Sequence, residues 1–101
     1  MENNFVYKSN GFYLGFINGT DLFSRDGIYM GWIDGTHVWD ARGIYRGELV
    51  LIGGTRYILR NRFIMPPVSR NPRSIPAAAL PPAPPANIRP ISLPVESIDA
   101  F

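Results

Sequence analysis

One histidine and three aspartates are the residues of this sequence whose types could support metal or acid–base chemistry. His37 is the only histidine, and Asp21, Asp34 and Asp40 lie within sixteen positions of it. An imidazole among carboxylates can bind a metal ion or transfer a proton. A lone histidine cannot form a His–His metal pair, however, and an aspartate before glycine already caps a turn. We therefore predict no catalytic residue, metal site or cofactor, and we expect His37 at an exposed strand position beside a turn.

The densest basic stretch could bind nucleic acid instead. Its arginines are interleaved with aromatic residues, a pattern that contacts phosphates and stacks on bases. The alternative is a solvated edge strand leading into a linker, where positive charge discourages edge-to-edge pairing. The formal net charge of only +2 is weak support for a nucleic-acid surface. The candidate nucleic-acid-binding residues are Arg56, Tyr57, Arg60, Arg62, Arg70 and Arg73.

Large apolar side chains could bind a protein partner. An exposed aromatic surface suits a partner or ligand, whereas the same residues, if buried, belong to the core or to a subunit interface. The last eleven residues, ISLPVESIDAF, are too apolar for a purely solvated tail. The candidate partner-binding residues are Phe16, Trp32, Trp39, Ile98 and Phe101.

The composition indicates one small globular domain. The chain has 101 residues, 46% of them hydrophobic, and it contains no cysteine, which excludes disulfides and thiolate metal sites. Its first ten residues lack the basic and apolar segments of a secretory signal. No apolar run approaches the ~18 residues of a membrane helix. We expect a cytoplasmic protein that does not enter a membrane.

A sharp change in composition divides the chain. All ten glycines lie at or before Gly54, and all ten prolines lie at or after Pro66. We predict a folded head over residues 1–65 and a proline-rich tail over residues 66–101. The tail favours the extended polyproline II conformation, which aromatic grooves bind. We expect the tail to pack on its own head or on a neighbouring subunit, or else to bind another protein.

Glycines at regular intervals punctuate the head. Turn-forming pairs such as Asn18-Gly19 and Asp34-Gly35 fall every eight residues and suit two-residue type I′ turns. The segments between them, rich in aromatic and β-branched residues, are typical of strands. We predict an antiparallel meander of seven or eight short strands. The glycines with predicted structural roles are Gly11, Gly15, Gly19, Gly27, Gly31, Gly35, Gly43 and Gly47.

Two consecutive strands make one sixteen-residue hairpin unit, repeated as GFYLGFING, GIYMGWIDG and GIYRGELV. A bulge or longer loop is expected over residues 50–53, where the period is delayed. A strand over residues 63–65 that pairs with residues 5–8 would complete a fourth hairpin and close the ring, which removes both sheet edges. The aliphatic–aromatic pairs that mark the period are Val6-Tyr7, Leu22-Phe23, Val38-Trp39 and, delayed, Tyr57-Ile58.

Alternation along a strand assigns side chains to two faces. Tyr13, Gly15 and Ile17 share one face, whose residue types hardly change between units, and we predict that this face is buried toward the axis. Glycine weakens a strand, so a glycine in the middle of each unit indicates a close approach. We expect crowding at the axis, or an aromatic ring such as Tyr13 of a neighbouring unit, to be the cause.

The repeat resembles a known family. Units such as GFYLGFINGTDLFSRDG and GIYMGWIDGTHVWDARG, followed by a proline-rich tail, are similar to the bacterial 4-fold beta flower proteins. The resemblance implies a small flower-like arrangement of four hairpin petals and no established activity, so it assigns no catalytic residues. The third unit departs from the pattern, since Glu48 stands where Phe16 and Trp32 stand in the first two units.

The preferred functional hypothesis is a non-catalytic interaction or assembly module that acts through its aromatic faces or its tail. We expect a protein partner or self-association into a homo-oligomer. The first alternative is nucleic-acid binding through the basic stretch. The second alternative is a small-ligand or metal site on the repeat axis, where symmetry would bring like residues together.

Overall fold

The computed structural model describes residues 4–77 and 79–101 of the chain. This part contains eight strands and no helix, which confirms the predicted all-β fold. It therefore holds no helix that could span a membrane. The strands are β1 (Phe5–Tyr7), β2 (Tyr13–Asn18), β3 (Asp21–Ser24), β4 (Tyr29–Asp34), β5 (His37–Asp40), β6 (Tyr45–Ile52), β7 (Thr55–Asn61) and β8 (Ser97–Asp99).

Seven strands form a closed ring, to which β8 adds an eighth strand. Each strand from β1 to β7 pairs antiparallel with the next. The ring closes because β1 pairs in parallel with the first half of β7, for example at Val6↔Arg56. The second half of β7 pairs antiparallel with β8, for example at Leu59↔Asp99. The predicted closed meander is confirmed.

Residues 63–65 do not form the closing strand, so that prediction is wrong. Asn61 ends β7 in a turn: its Oδ1 accepts a hydrogen bond from Phe63 N at 3.0 Å, and its carbonyl accepts one from Ile64 N at 3.3 Å. Phe63, Ile64 and Met65 are 68%, 64% and 88% exposed. The two prolines that follow have no N–H to extend a ladder. The strand that follows β7 in the sheet is instead β8, from the far end of the tail.

The β2–β3 and β4–β5 hairpins turn one residue later than predicted, whereas the third hairpin turns at Gly53-Gly54 as predicted. Asn18 pairs with Asp21, so the central residues of the first turn are Gly19 and Thr20. Only the glycine has a positive φ, of 66°, which fits a type II′ turn with glycine at its first central position. The β4–β5 hairpin repeats this arrangement with Gly35, whose φ is 64°. The type I′ prediction is therefore wrong for both turns, because the residue before each glycine stays in its strand.

The third hairpin is longer than the others but has no bulge or long loop near its tip, contrary to prediction. Ile52 pairs with Thr55 across a turn of two glycines, and the register is regular from there back to Glu48↔Leu59. The extra residues therefore extend both strands. The outer end of this hairpin is exposed, including the side chain of Leu51, which is 65% exposed.

Four equivalent aliphatic residues fill the centre of the ring. Val6, Leu22, Val38 and Ile58 are each at most 2% exposed and belong to one packed cluster. The fourth member is Ile58, whereas the sequence pattern placed it at Tyr57. The reason is that the longer hairpin delays the register by four residues, one more than the spacing in the sequence had indicated.

A bulge recurs in each unit and breaks the simple alternation of faces. As β1 advances by one residue, its partner in β2 jumps from Gly15 to Tyr13, which leaves Leu14 as the extra residue; β4 and β6 repeat the irregularity. Leu14 and Ile17 both pack against the core, while the Tyr13 ring lies 5.3 Å from that of Phe5. The predicted common face of Tyr13 and Ile17 is wrong, because the bulge switches the face between them.

The middle glycine of each unit faces the backbone of its partner strand. A Cβ on Gly15 would overlap the carbonyl oxygen of Phe23, and one on Gly31 would overlap that of Trp39. Gly47 faces the next strand in the same way. The predicted close approach is therefore present, but its partner is a backbone carbonyl of the same hairpin rather than the axis or a tyrosine ring.

Candidate functional site

The tail lies along the ring and contacts the turns between hairpins. The backbone N–H of Arg70 donates a hydrogen bond to the carbonyl of Gly43, and that of Ile88 donates to the carbonyl of Gly11, both at 2.8 Å. Between these points the carbonyl oxygen of Ala79 faces Gly27. The described residues between β7 and β8 form no strand or helix, so these contacts position an otherwise irregular chain.

Two tail arginines lie on the two tryptophans of the ring. The guanidinium carbon of Arg70 lies 4.5 Å from the centre of the Trp39 ring, and that of Arg73 lies 4.9 Å from the Trp32 ring. The cation is attracted by the negative face of the ring. Arg70 Nη1 also donates a hydrogen bond to Asp34 Oδ2 at 2.6 Å. That bond and the positive charge hold the pKa of the Asp34 carboxyl below its ordinary value.

The aromatic residues predicted to bind a partner form a buried layer in this chain. Phe16, Trp32 and Trp39 are 6%, 1% and 2% exposed. The two tryptophan rings stack with their centres 6.5 Å apart, and Phe16 stacks on Phe23 at 5.4 Å. These rings are therefore enclosed by the chain itself. Arg70 and Arg73 cover the two tryptophans, so binding of another molecule to Trp32 or Trp39 would require movement of the tail.

The last residues of the chain bind the beginning of the ring. The carboxylate of Asp99 accepts hydrogen bonds from the backbone N–H of Ser9 at 2.8 Å and from its hydroxyl at 2.6 Å. Ala100 is buried in the core, and its N–H donates to the carbonyl of Ile58 at 3.1 Å. Residues ninety positions apart are thus joined at the ring junction.

Arg46 explains one departure of the third unit from the repeat. It is the bulged residue at the position that Leu14 and Met30 occupy in the other units. Its Nη2 donates to the carbonyl of Ala100 at 2.8 Å, and its guanidinium carbon lies 4.4 Å from the centre of the Phe101 ring. The exchange of an aliphatic side chain for arginine therefore accommodates the C-terminal residues.

The residues predicted to bind nucleic acid do not share one surface. Tyr57 is 2% exposed, so its ring is not available to stack on a base. Arg56 lies where β7 pairs with β1, and Arg60 lines a cleft beside the third hairpin. The Arg62 guanidinium lies over the ring of Phe63, and the two tail arginines lie on tryptophans. Ile98, predicted to contact a partner, is 37% exposed in β8.

His37 and the nearby Asp34 and Asp40 contact different partners and do not form one site. Its Nδ1 lies 3.7 Å from Glu48 Oε1, while Asp34 binds Arg70 and Asp40 caps the following turn. Within residues 4–77 and 79–101, no group of three acidic, histidine or cysteine side chains could hold a metal ion. Among the described residues, the cluster at the centre of the ring consists of apolar side chains, which are not metal ligands.

An open cleft of about 540 Å³ lies where the long third hairpin meets the end of the tail. The polar groups in its lining include His37, Glu48 and Arg60. Burial, followed by the Glu48 carboxylate, raises the pKa of the Tyr45 phenol, so the phenol is a neutral hydrogen-bond donor at pH 7. The apolar lining includes Val50, Ile52, Ile64, Met65, Pro66 and Leu93.

The cleft was not predicted from the sequence, although two of the segments that form it are recognisable there. The delay in the repeat marks the extra length of β6 and β7, and the run FIM follows β7 directly. No rule of spacing places the tail residue Leu93 opposite Ile52, because an irregular tail has no period that relates it to the hairpin. Only the folded chain brings the two together in one lining.

The Asp34–Arg70 pair should make tail docking sensitive to acid. Because the pKa of Asp34 is lowered in the folded chain, its contribution is complete above the ordinary value of about 3.9 and is lost as the pH falls through the lowered value. We expect the difference in melting temperature between the native chain and Asp34→Asn to vanish as the pH falls below about 4. Melts of both chains between pH 7 and pH 2 measure it. Asp26→Asn, at an exposed turn, is the control, and a difference for Asp34→Asn that persists at pH 2 would contradict the assignment.

These features define a class of protein: a closed ring of glycine-turned β-hairpins around one apolar centre, bound by its own extended tail. The family model described as 4-fold beta flower protein matches residues 1–97. The chain therefore belongs to the 4-fold beta flower protein family, as its repeat had indicated. The match covers the ring and nearly all of the tail. Comparisons with curated proteins and with solved structures gave no match.

Proposed function

We propose that this chain is a non-catalytic interaction module that receives an apolar side chain of a protein partner in the cleft beside the third hairpin. The observation that supports the proposal is the cleft itself, which is open and mostly apolar in its lining. The aromatic residues predicted to bind a partner, Phe16, Trp32 and Trp39, are buried, whereas the cleft is an apolar site that remains accessible.

The exposure of the surrounding side chains favours a protein partner. Ile52 is 40% exposed, Ile64 64% and Met65 88%, and all three line the cleft. Contiguous exposed apolar side chains with polar groups at their margin are typical of interaction sites. Glu48 and Arg60 supply charges of both signs that would orient the partner.

Photo-crosslinking at the cleft tests this function. A photoreactive phenylalanine in place of Met65 should give a discrete adduct in cells of the native host, and the adduct should disappear when Ile52→Glu is added. The reason is that a carboxylate in the apolar lining must be desolvated when the partner binds. The mass of the adduct identifies the partner as another protein or as a second copy of the chain.

The matched control is Ile28→Glu, because Ile28 is an equally apolar residue, 66% exposed, that does not line the cleft. It should leave the adduct unchanged. An adduct that survives Ile52→Glu, or no adduct at position 65, would reject the cleft as the binding site. Melting curves of both variants establish that the ring remains folded.

A small apolar ligand is the second candidate occupant. The volume of about 540 Å³ falls within the roughly 300–1,000 Å³ of ordinary ligand pockets. Native mass spectrometry of the chain purified from its host would show such a ligand as added mass. Loss of that mass in Ile52→Glu, with retention in Ile28→Glu, would place it in the cleft.

A further inference from the structure

The tail meets equivalent turns of the ring at equal intervals. Gly43, Gly27 and Gly11 lie sixteen residues apart, and the tail residues that face them, Arg70, Ala79 and Ile88, lie nine residues apart. At Gly43 and Gly11 an added Cβ would overlap the tail carbonyl oxygen, and at Gly27 it would lie 2.8 Å from it. Three similar backbone contacts are therefore repeated around the ring.

Six of the ten prolines of the tail follow the same interval of nine. Each segment has the form x-x-Pro-x-x-x-Pro-x-x, counted from the residue that faces a glycine turn. Proline fixes φ and favours the extended polyproline II conformation, so the period in sequence becomes a period in space. The third positions are Pro72, Pro81 and Pro90, and the seventh positions are Pro76, Pro85 and Pro94.

One tail segment reaches from each hairpin unit to the next. Nine residues in polyproline II span about 28 Å, and tail residues nine positions apart face turns sixteen positions apart in the ring. The tail passes the units in reverse order, from the third to the first.

We propose that the turns at Gly11, Gly27 and Gly43 form a track of three similar subsites that binds an extended proline-rich chain in a nine-residue register, and that the tail of a second copy of this chain occupies it when the chain's own tail is displaced. This track lies at the turns and is distinct from the cleft proposed above to bind a partner. Arg70 and Arg73, seated on Trp39 and Trp32, add side-chain recognition to the backbone contacts.

The connection between ring and tail supports exchange between copies. Phe63, Met65 and Val68 are 68%, 88% and 89% exposed, and the segment that holds them forms no strand or helix. An exposed connection of this kind can act as the hinge when an element is exchanged between identical chains. The tethered tail competes at an effective concentration in the millimolar range, so exchange requires that the tail of the acceptor be weakened.

Complementation between two full-length variants tests the proposal. The acceptor carries Arg70→Ala and Arg73→Ala, which weaken its own tail; the donor carries Gly43→Ala and Gly27→Ala, which block its own track. We expect the mixture to form a complex of twice the chain mass by sedimentation, while each variant alone forms less of it. A donor that also lacks Ala77, which breaks the interval between Arg70 and Ala79, should bind the acceptor at least ~10-fold more weakly.

If the donor does not fold, hydrogen exchange in two single variants, Gly43→Ala and Gly35→Ala, tests the track. Gly43 and Gly35 both have a positive φ, of 85° and 64°, so alanine strains the backbone similarly at each. A Cβ on Gly35 meets open space. Gly43→Ala should raise hydrogen exchange at the Arg70 amide by at least ~10-fold, and Gly35→Ala should leave it unchanged. Equal exchange in the two variants, no mixed complex from folded variants, or equal binding by the shifted tail overturns the proposal.

Discussion

Gly31→Val should destabilise the ring by about 3 kcal/mol or more, and lower the melting temperature by more than about 12 °C. A Cβ at this position would overlap the carbonyl oxygen of Trp39 and would lie 2.7 Å from Asp40 Cα. Those atoms are backbone of β5, so they cannot turn aside as a side chain does. Valine is otherwise a good strand residue, but Gly31 also has a φ of 156°, so the loss combines the close approach of the two strands with the strain of that backbone conformation.

Thermal and urea unfolding of the native chain, Gly31→Val and Gly35→Ala measure this effect. Gly35→Ala removes a glycine at a hairpin tip where a Cβ meets no neighbour, so its cost is limited to the strain of an L residue at a positive φ, about 1–3 kcal/mol. A Gly31→Val chain as stable as the native one would contradict the packing described for the middle glycines.

Removal of residues 97–101 should lower stability by about 4 kcal/mol and the melting temperature by more than about 15 °C. The deletion removes the pairing of β8 with β7, the buried Ala100, and the two hydrogen bonds from Ser9 to Asp99. It also leaves Arg46 without its carbonyl acceptor. The uncovered half of β7 becomes a free edge, which favours association between chains.

Differential scanning calorimetry and light scattering of the shortened chain provide the measurement. Val95→Ser is the matched control, because Val95 lies in the same segment but is 71% exposed, and it should change neither quantity. A shortened chain that melts as the native one does, with unchanged mass, would show that the end of the tail does not hold the ring together.

The sequence predicted the ring because its strongest signals are local. Turn glycines such as Gly19 and Gly35 recur with the hairpin period, and the aliphatic residues at Val6, Leu22 and Val38 recur with them. Each hairpin is specified by its own residues, so repeats suffice to infer the class of fold. The bulge at Leu14 was missed, because an extra residue in one strand appears only when its partner strand is aligned beside it.

The tail contacts lay beyond that local reasoning. The pairing of Arg70 with Asp34, or of Asp99 with Ser9, joins residues far apart in sequence. The nine-residue proline interval is present in the sequence, but its relation to the sixteen-residue period of the ring is evident only when the contact points are known. Trp32 and Trp39 are of a residue type that is common in partner-binding surfaces. Their burial depends on the position of the tail, which has no regular structure to predict from sequence.

The junction between Ser9 and Asp99 has a consequence for the order of folding during protein synthesis. The hairpins of residues 13–40 depend on near neighbours and can form as soon as they leave the ribosome. The strand β1 must wait for β7, and Ser9 for Asp99. We therefore expect nascent chains to carry an open sheet, with the edge of β1 exposed to neighbouring nascent chains until β7 emerges and with Ser9 unpaired from Asp99 until the last residues emerge.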